Sequence, residues 1–213
     1  ETFLAAARGR ADFRPPLEAR RGGGGVEARG CFISTDGGFV TAAAAFAEDD
    51  DVSVTTDDGR RRDGRIYAID RLNGVAIGGI DAATAALPLA SDSDVSPGAT
   101  LAVLGPNGPG VGMASRRGRE PRSLAFDGRL DAEDLGAPVV DAGGRVVGFV
   151  GLTTRTDSET DPAPQAVRIA YAQALAPVAR VSAETLPRAD RRFPPAALAD
   201  AYRPALVIVR RRR

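Results

Sequence analysis

A chain of 213 residues, 43% hydrophobic and 26% charged, has the make-up of a globular protein with room for one large all-β domain or two small ones. Its 28 basic residues, every one an arginine, balance 28 acidic ones to a formal net charge of zero. That balance argues against general nucleic-acid affinity, and no apolar run approaches the roughly 20 residues that cross a bilayer. The chain contains no histidine and a single cysteine. It can therefore build no His–carboxylate–nucleophile relay, no His metal site and no internal disulfide. The first residue is Glu1 rather than Met, as expected of a fragment or a processed form.

Short strand-like runs dominate the chain. Phe32-Ile33-Ser34 and Gly38-Phe39-Val40-Thr41 flank Thr35-Asp36-Gly37, whose Asp-Gly pair is a hairpin signal. The preceding Cys31 lies in the same apolar run and reads as a small buried hydrophobe, not a reactive thiol. Val52-Ser53-Val54-Thr55-Thr56 alternates with period two, and Asp57-Asp58-Gly59 turns it toward Gly64-Arg65-Ile66-Tyr67-Ala68-Ile69. Gly74-Val75-Ala76-Ile77 has the unbroken apolar character of a buried strand. Residues 87–98, with Pro88, Pro97 and several Ser and Asp, form the best internal linker candidate.

Thr100-Leu101-Ala102-Val103-Leu104 opens a second strand series. Val139-Val140 and Arg145-Val146-Val147-Gly148-Phe149-Val150 pair across Asp141-Ala142-Gly143-Gly144 as another hairpin. A surface loop is expected over 153–165, a strand over 167–171, a short helix over 173–180 despite Pro177, and a connector over 182–195. Strands so spaced argue for a sandwich or a barrel, and periodicity does not choose between them. Near the end, Tyr202-Arg203-Pro204-Ala205-Leu206 followed by Arg210-Arg211 echoes Phe13-Arg14-Pro15-Pro16-Leu17 followed by Arg20-Arg21. Such an echo suits a tandem array or chance in an Ala/Arg/Pro-rich sequence.

Three segments, in order, carry a resemblance. Gly30-Cys31-Phe32-Ile33-Ser34-Thr35-Asp36-Gly37-Gly38-Phe39-Val40-Thr41-Ala42-Ala43-Ala44 is similar to Gly-x-Gly-x-Ile-Ile-Ser-x-Asp-Gly-x-Ile-Val-Thr-x-x-His of the HtrA (Deg) family of trypsin-like peptidases. Asp70-Arg71-Leu72-Asn73-Gly74-Val75-Ala76-Ile77 resembles that family's Asp-x-x-x-Asp-Leu-Ala-Val. The run from Phe126 to Val140, containing Glu133-Asp134-Leu135-Gly136-Ala137-Pro138, resembles its Gly-Asn-Ser-Gly-Gly-Pro-Leu nucleophile loop. The likeness spans roughly residues 13 to 181, and no PDZ module of the family is seen in the chain. It implies an all-β fold of two six-stranded antiparallel Greek-key barrels of the chymotrypsin type, with a short C-terminal helix. The expected division is 13–87 for the N-terminal barrel and 95–181 for the C-terminal barrel with its closing helix. Residues 182–213 would be a connector and the first strand of a following repeat.

The resemblance also places the catalytic positions, and each is degenerate: Ala44 stands at the histidine, Gly74 at the aspartate and Leu135 at the serine. None of these side chains can take a proton, orient a base or attack a carbonyl. Glu133 stands where the family has the glycine that aims an oxyanion-hole amide, and brings an anion near the site of developing charge. Arg129 stands where a small residue lines the specificity pocket, which an arginine would fill unless it turned outward. The expectation is a closed or remodelled pocket.

Other clusters read as surface features. Glu48-Asp49-Asp50-Asp51 is a solvated acidic turn more readily than a calcium site. Asp57-Asp58 with Arg60-Arg61-Arg62 is a charged hairpin tip. Gly22-Gly23-Gly24-Gly25 lacks a following Lys-Ser/Thr and is a flexible connection, not a phosphate loop. The expected role is a non-catalytic pseudoprotease domain that binds or scaffolds protein partners, without cofactor, metal or nucleic acid. The competing expectations are a structural or regulatory repeat in a tandem protease-like array and a hydrolase relocated to Cys31, Ser34 or a carboxylate pair. An exported or cell-envelope location, and oligomerisation or a tandem neighbour, follow from the resemblance alone.

Overall fold

In the computed structural model, residues 27–91, 95–106, 108–114, 123–152, 164–186 and 192–212 are described. The 13–21 half of the terminal echo, the 22–25 glycine run, most of the 153–165 loop and parts of both expected linkers lie outside them.

Six strands close a barrel: β1 (Glu27–Phe32), β2 (Gly38–Ala42), β3 (Asp51–Thr55), β4 (Arg61–Asp70), β5 (Val75–Ile80) and, from the far end of the chain, β13 (Leu206–Arg211). Their order is β1-β13-β3-β4-β5-β2, each neighbour antiparallel. The Asp36-Gly37 signal makes the expected β1–β2 turn, in which Gly37 takes φ +96° and the Ile33 amide donates to the Gly38 carbonyl at 2.8 Å. In β3 the period-two pattern sends Val52 and Val54 inward, whereas β5 is buried along its whole length. Phe32, Phe39, Val52, Val54, Ile66, Val207 and Val209 fill the barrel, with the Phe32 and Phe39 rings edge-on at 6.5 Å between centroids.

The second unit is a sheet of β6 (Leu89–Ala90), β7 (Thr100–Gly105), β8 (Gly108–Met113), β9 (Pro138–Asp141), β10 (Val146–Leu152), β11 (Pro164–Arg168) and β12 (Thr185–Leu186). Its order is β12-β6-β10-β9-β7-β8, with β11 also on β10. The short β6 runs parallel to both β10 and β12. A closed barrel, a second sheet and a C-terminal helix are the elements of the trypsin-like two-barrel fold.

Four expectations need correction. Residues 13–87 do not make the N-terminal barrel by themselves, and 182–213 is not merely a connector followed by the start of another repeat. β13 lies between β1 and β3 and completes the barrel, because alternating Val207 and Val209 supply an apolar face to two otherwise unpaired edges. The expected linker at 87–98 includes β6, whose Leu89 and Ala90 are buried, as is Leu87 before them. The expected helix over 173–180 begins earlier, as α1 (Ala170–Leu175), and passes into turns around Pro177, which has no amide to extend the helical ladder. A second helix, α2 (Pro195–Tyr202), precedes β13 and starts with proline at its first turn.

Candidate functional site

Ala44, Gly74 and Leu135, the three residues that the resemblance implicates, come from both units. Thr41 and Ala42 end β2, and a 3-10 turn over Ala43–Ala45 follows, leaving Ala44 half-buried. The Ala43 amide donates to the Gly74 carbonyl at 2.9 Å, so the first two positions sit side by side. Gly74 has φ +74°, and a Cβ built there would meet nothing within 4 Å. The glycine is therefore required by backbone handedness and not by crowding. The turn leading to it is tied by Asn73, whose backbone and side-chain amides donate to the Asp70 carboxylate at 3.0 and 2.6 Å.

Leu135 arrives from the second unit. A 3-10 turn over Ala132–Asp134 delivers it, held at its start by the Asp134 carboxylate accepting the Asp131 amide at 2.9 Å. The Leu135 side chain is 7% exposed and packs in the N-terminal barrel cluster that also holds Ala42, Ala43, Ala45 and Phe46. Its carbonyl accepts the Arg29 amide of β1 at 2.6 Å, and its own amide donates back to the Ala132 carbonyl at 3.4 Å. Gly136 follows at φ +86°, where a Cβ would strike the Arg29 carbonyl and the Thr41 hydroxyl. At Leu135, then, stands an apolar side chain turned into a core, and its N–H is engaged within its own turn.

Arg129 lies outside this cluster. Its side chain is 86% exposed and pairs with Asp131 at 3.1 Å, so it takes the outward course and does not fill a pocket. Glu133 is exposed on the 3-10 turn.

The other candidate chemical groups are committed to structure. Cys31 is fully buried, and burial pushes its thiol up to about 12. The Ser34 hydroxyl donates to the Asp36 carboxylate inside the β1–β2 turn. In the acidic turn, Asp50 accepts the Ala47 amide at 2.7 Å and pairs with Arg211 at 3.0 Å, while Asp51 faces Arg65 at 3.6 Å. At the hairpin tip, the Thr56 hydroxyl and the Arg60 amide donate to Asp58 and hold its carboxyl below the ordinary carboxylate range.

The sequence matches the model of the trypsin-like peptidase domain over residues 28–149, more than half of the chain. The chain belongs to the trypsin-like peptidase domain family. The matched stretch of this trypsin-like domain carries Ala44, Gly74 and Leu135, but it ends before β11 and leaves β13 outside. No curated protein matches the sequence.

One feature of the trypsin-like domain was missed by sequence reasoning. Arg145 is 4% exposed, and its guanidinium donates to the Asp141 carboxylate at 2.9 and 2.7 Å and to the Leu186 carbonyl at 3.3 Å. The same carboxylate accepts the Gly143 and Arg145 amides, each at 3.0 Å. The pair locks the β9–β10 hairpin, onto which the C-terminal segment docks through Phe193 N–H to the Ala142 carbonyl at 2.8 Å and the Tyr202 hydroxyl to the Gly144 carbonyl at 2.6 Å. The Asp–x3–Arg spacing across a Gly-Gly turn is its only sequence signal.

Proposed function

We propose that the chain is a catalytically silent, HtrA-like member of the trypsin-like family that acts as a protein-binding or scaffolding module. Leu135 carries this reading. A leucine has no nucleophilic atom, and this one is part of the barrel packing, with its amide turned to Ala132 and not toward an incoming oxyanion. The absence of any histidine in the 213 residues removes the general base as well. A site relocated to Cys31 or Ser34 is disfavoured by the buried, high-pKa thiol and by the hydroxyl engaged with Asp36. What the fold retains is its surface, and a fold can serve binding as readily as catalysis. An exported or envelope location belongs to the same proposal.

The test is direct. The purified chain is treated with a fluorophosphonate and with casein, beside an active trypsin-like enzyme as control. Intact mass should show no adduct and the casein should remain whole. A stoichiometric adduct, or casein cleavage that the same preparation loses on Ser34→Ala or Cys31→Ala, would overturn the proposal.

The tandem-array reading keeps one observation in its favour, the likeness between residues 13–21 and the segment from Tyr202 to Arg211. Under that reading the domain spaces or regulates protease-like neighbours.

A further inference from the structure

The glycine that backbone handedness demands at position 74 follows an asparagine. Gly74 takes φ +74°, and a Cβ built there would meet nothing within 4 Å, so no neighbouring group closes over that side of its backbone. Asn73 is half-buried in the turn between β4 and β5. An Asn-Gly step carries its own chemistry. The backbone nitrogen of the glycine can attack the side-chain carbonyl carbon of the asparagine and close a five-membered ring. With no side chain on the glycine, that nitrogen is unshielded.

One carboxylate governs Asn73 in this turn. Asp70 accepts the Asn73 backbone amide through Oδ1 at 3.0 Å and the Asn73 side-chain amide through Oδ2 at 2.6 Å. The carboxamide is therefore held by its nitrogen against residue 70. Attack by Gly74 has to break or bend this charge-assisted bond. It also builds negative charge on the carboxamide beside an anion, which raises the barrier. On the far side of the peptide, the Gly74 carbonyl accepts the Ala43 amide at 2.9 Å.

We propose that Asn73 is a self-modification site that deamidates through Gly74 at a rate restrained by Asp70. The Gly74 nitrogen forms a bond to Asn73 Cγ, the Cγ–Nδ2 bond breaks, and Nδ2 leaves as ammonia with the Gly74 amide proton. Water then opens the imide ring at either carbonyl, leaving an aspartate or an isoaspartate in place of Asn73. Nothing is oxidised or reduced. The aspartyl product puts a carboxylate where a donor had met Asp70, and two anions so placed repel. The isoaspartyl product adds a methylene to the main chain ahead of Gly74, which displaces the carbonyl that holds Ala43. Both products loosen the Ala43–Ala45 turn, whose Ala43 and Ala45 share a core cluster with Leu135. Asp70 is thus a positioning residue for a one-way change beside Ala44 and Gly74.

The test incubates the full chain at neutral pH, folded and in guanidinium, with digestion at intervals. Fragment ions separate Asn73 from Asn107, the chain's other asparagine, and an isoaspartyl methyltransferase scores isoaspartate. The folded chain should convert at Asn73, more slowly than the unfolded one. Asp70→Ala should speed the folded reaction on the order of tenfold, the effect of about one charge-assisted hydrogen bond on a barrier. Asp70→Asn keeps the shape and removes the charge. It should give a smaller acceleration with the β4–β5 ladder amides exchanging hydrogen as in the parent, and it decides the matter if Asp70→Ala does not fold. Asn73→Asp, which installs the aspartyl product, should speed exchange at the Ala43 amide. The proposal is overturned if the folded chain keeps Asn73 intact over the period in which the unfolded chain converts it. It is equally overturned if the Asp70 variants convert no faster than the parent, or faster only in step with exchange of the β4–β5 ladder. Unchanged exchange at Ala43 in Asn73→Asp overturns the link to the Ala43–Ala45 turn.

Discussion

The carbonyl of Leu135 accepts the amide of Arg29 at 2.6 Å, which ties the loop after the Ala132–Asp134 turn of the second unit to the first strand of the N-terminal barrel. Leu135 is thus a structural rivet between the second unit and the barrel. Its side chain and its backbone both work for the interface between the two units.

Truncating this side chain should be costly. Leu135→Ala is expected to destabilise by about 2–5 kcal/mol, the range for deleting a buried leucine, read from urea unfolding at pH 7. Installing the triad that the resemblance implies, as Ala44→His, Gly74→Asp and Leu135→Ser, should give no measurable peptidase activity. The Leu135 amide would still be bonded to the Ala132 carbonyl and the core would have lost its leucine. Turnover of a fluorogenic peptide by the folded triple variant would contradict this.

Gly74 and Gly136 share a left-handed backbone but differ in surroundings. Gly74→Asp should fold and lose no more than about 1–2 kcal/mol, because Asp tolerates this conformation and a Cβ there meets nothing. Gly136→Ala adds a collision with the Arg29 carbonyl to the same strain, so its melting temperature should fall well below that of Gly74→Asp. Equal losses would show that the two units do not close as described.

Breaking the Asp141–Arg145 pair from one side should cost about 3–5 kcal/mol, since it strands a largely buried carboxylate. Arg145→Met is the variant to measure. The double change Asp141→Asn with Arg145→Met should recover part of that loss, and a thermodynamic cycle by denaturant titration gives the coupling.

Stability should decline at high pH. The folded Cys31 thiol holds its proton up to about 12 against an ordinary value of 9.0, and burial together with Asp141 raises the Tyr202 hydroxyl above its usual 10.0. A group whose pKa is raised on folding contributes fully below its unfolded value and loses that contribution as pH climbs toward the folded one. For the fully buried Cys31 this steepens the decline by about 1.4 kcal/mol per pH unit within its window. Urea midpoints from pH 8 upward should therefore fall, less steeply for Cys31→Ala, with the Tyr202→Phe effect confined to pH above about 10. A pH profile unchanged by Cys31→Ala would show that the thiol titrates normally and is not buried.

Much of this was legible in the order of residues. The Asp36-Gly37 hairpin, the period-two β3, the unbroken apolar β5 and the Gly-Gly turn between β9 and β10 are local signals, and each formed where the pattern placed it. The side-chain chemistry open to the chain is equally a matter of sequence. A chain without histidine has no histidine wherever it folds, and Ala44, Gly74 and Leu135 carry no reactive group in any conformation. Short-range chemistry decides turns, periodicity decides which face is buried, and residue identity bounds the chemistry.

The tertiary structure decided the rest, because it depends on contacts between distant residues. Only the fold shows Leu135 turned into the barrel core, Arg129 turned outward to Asp131, and Arg145 buried against Asp141. Only the fold puts Arg210 beside Glu27, since no periodicity announces that the last strand of a chain will close the barrel opened by the first. A strand states which of its faces is apolar, but the edge it completes is chosen by shape and charge, and those exist only once the other strands are in place.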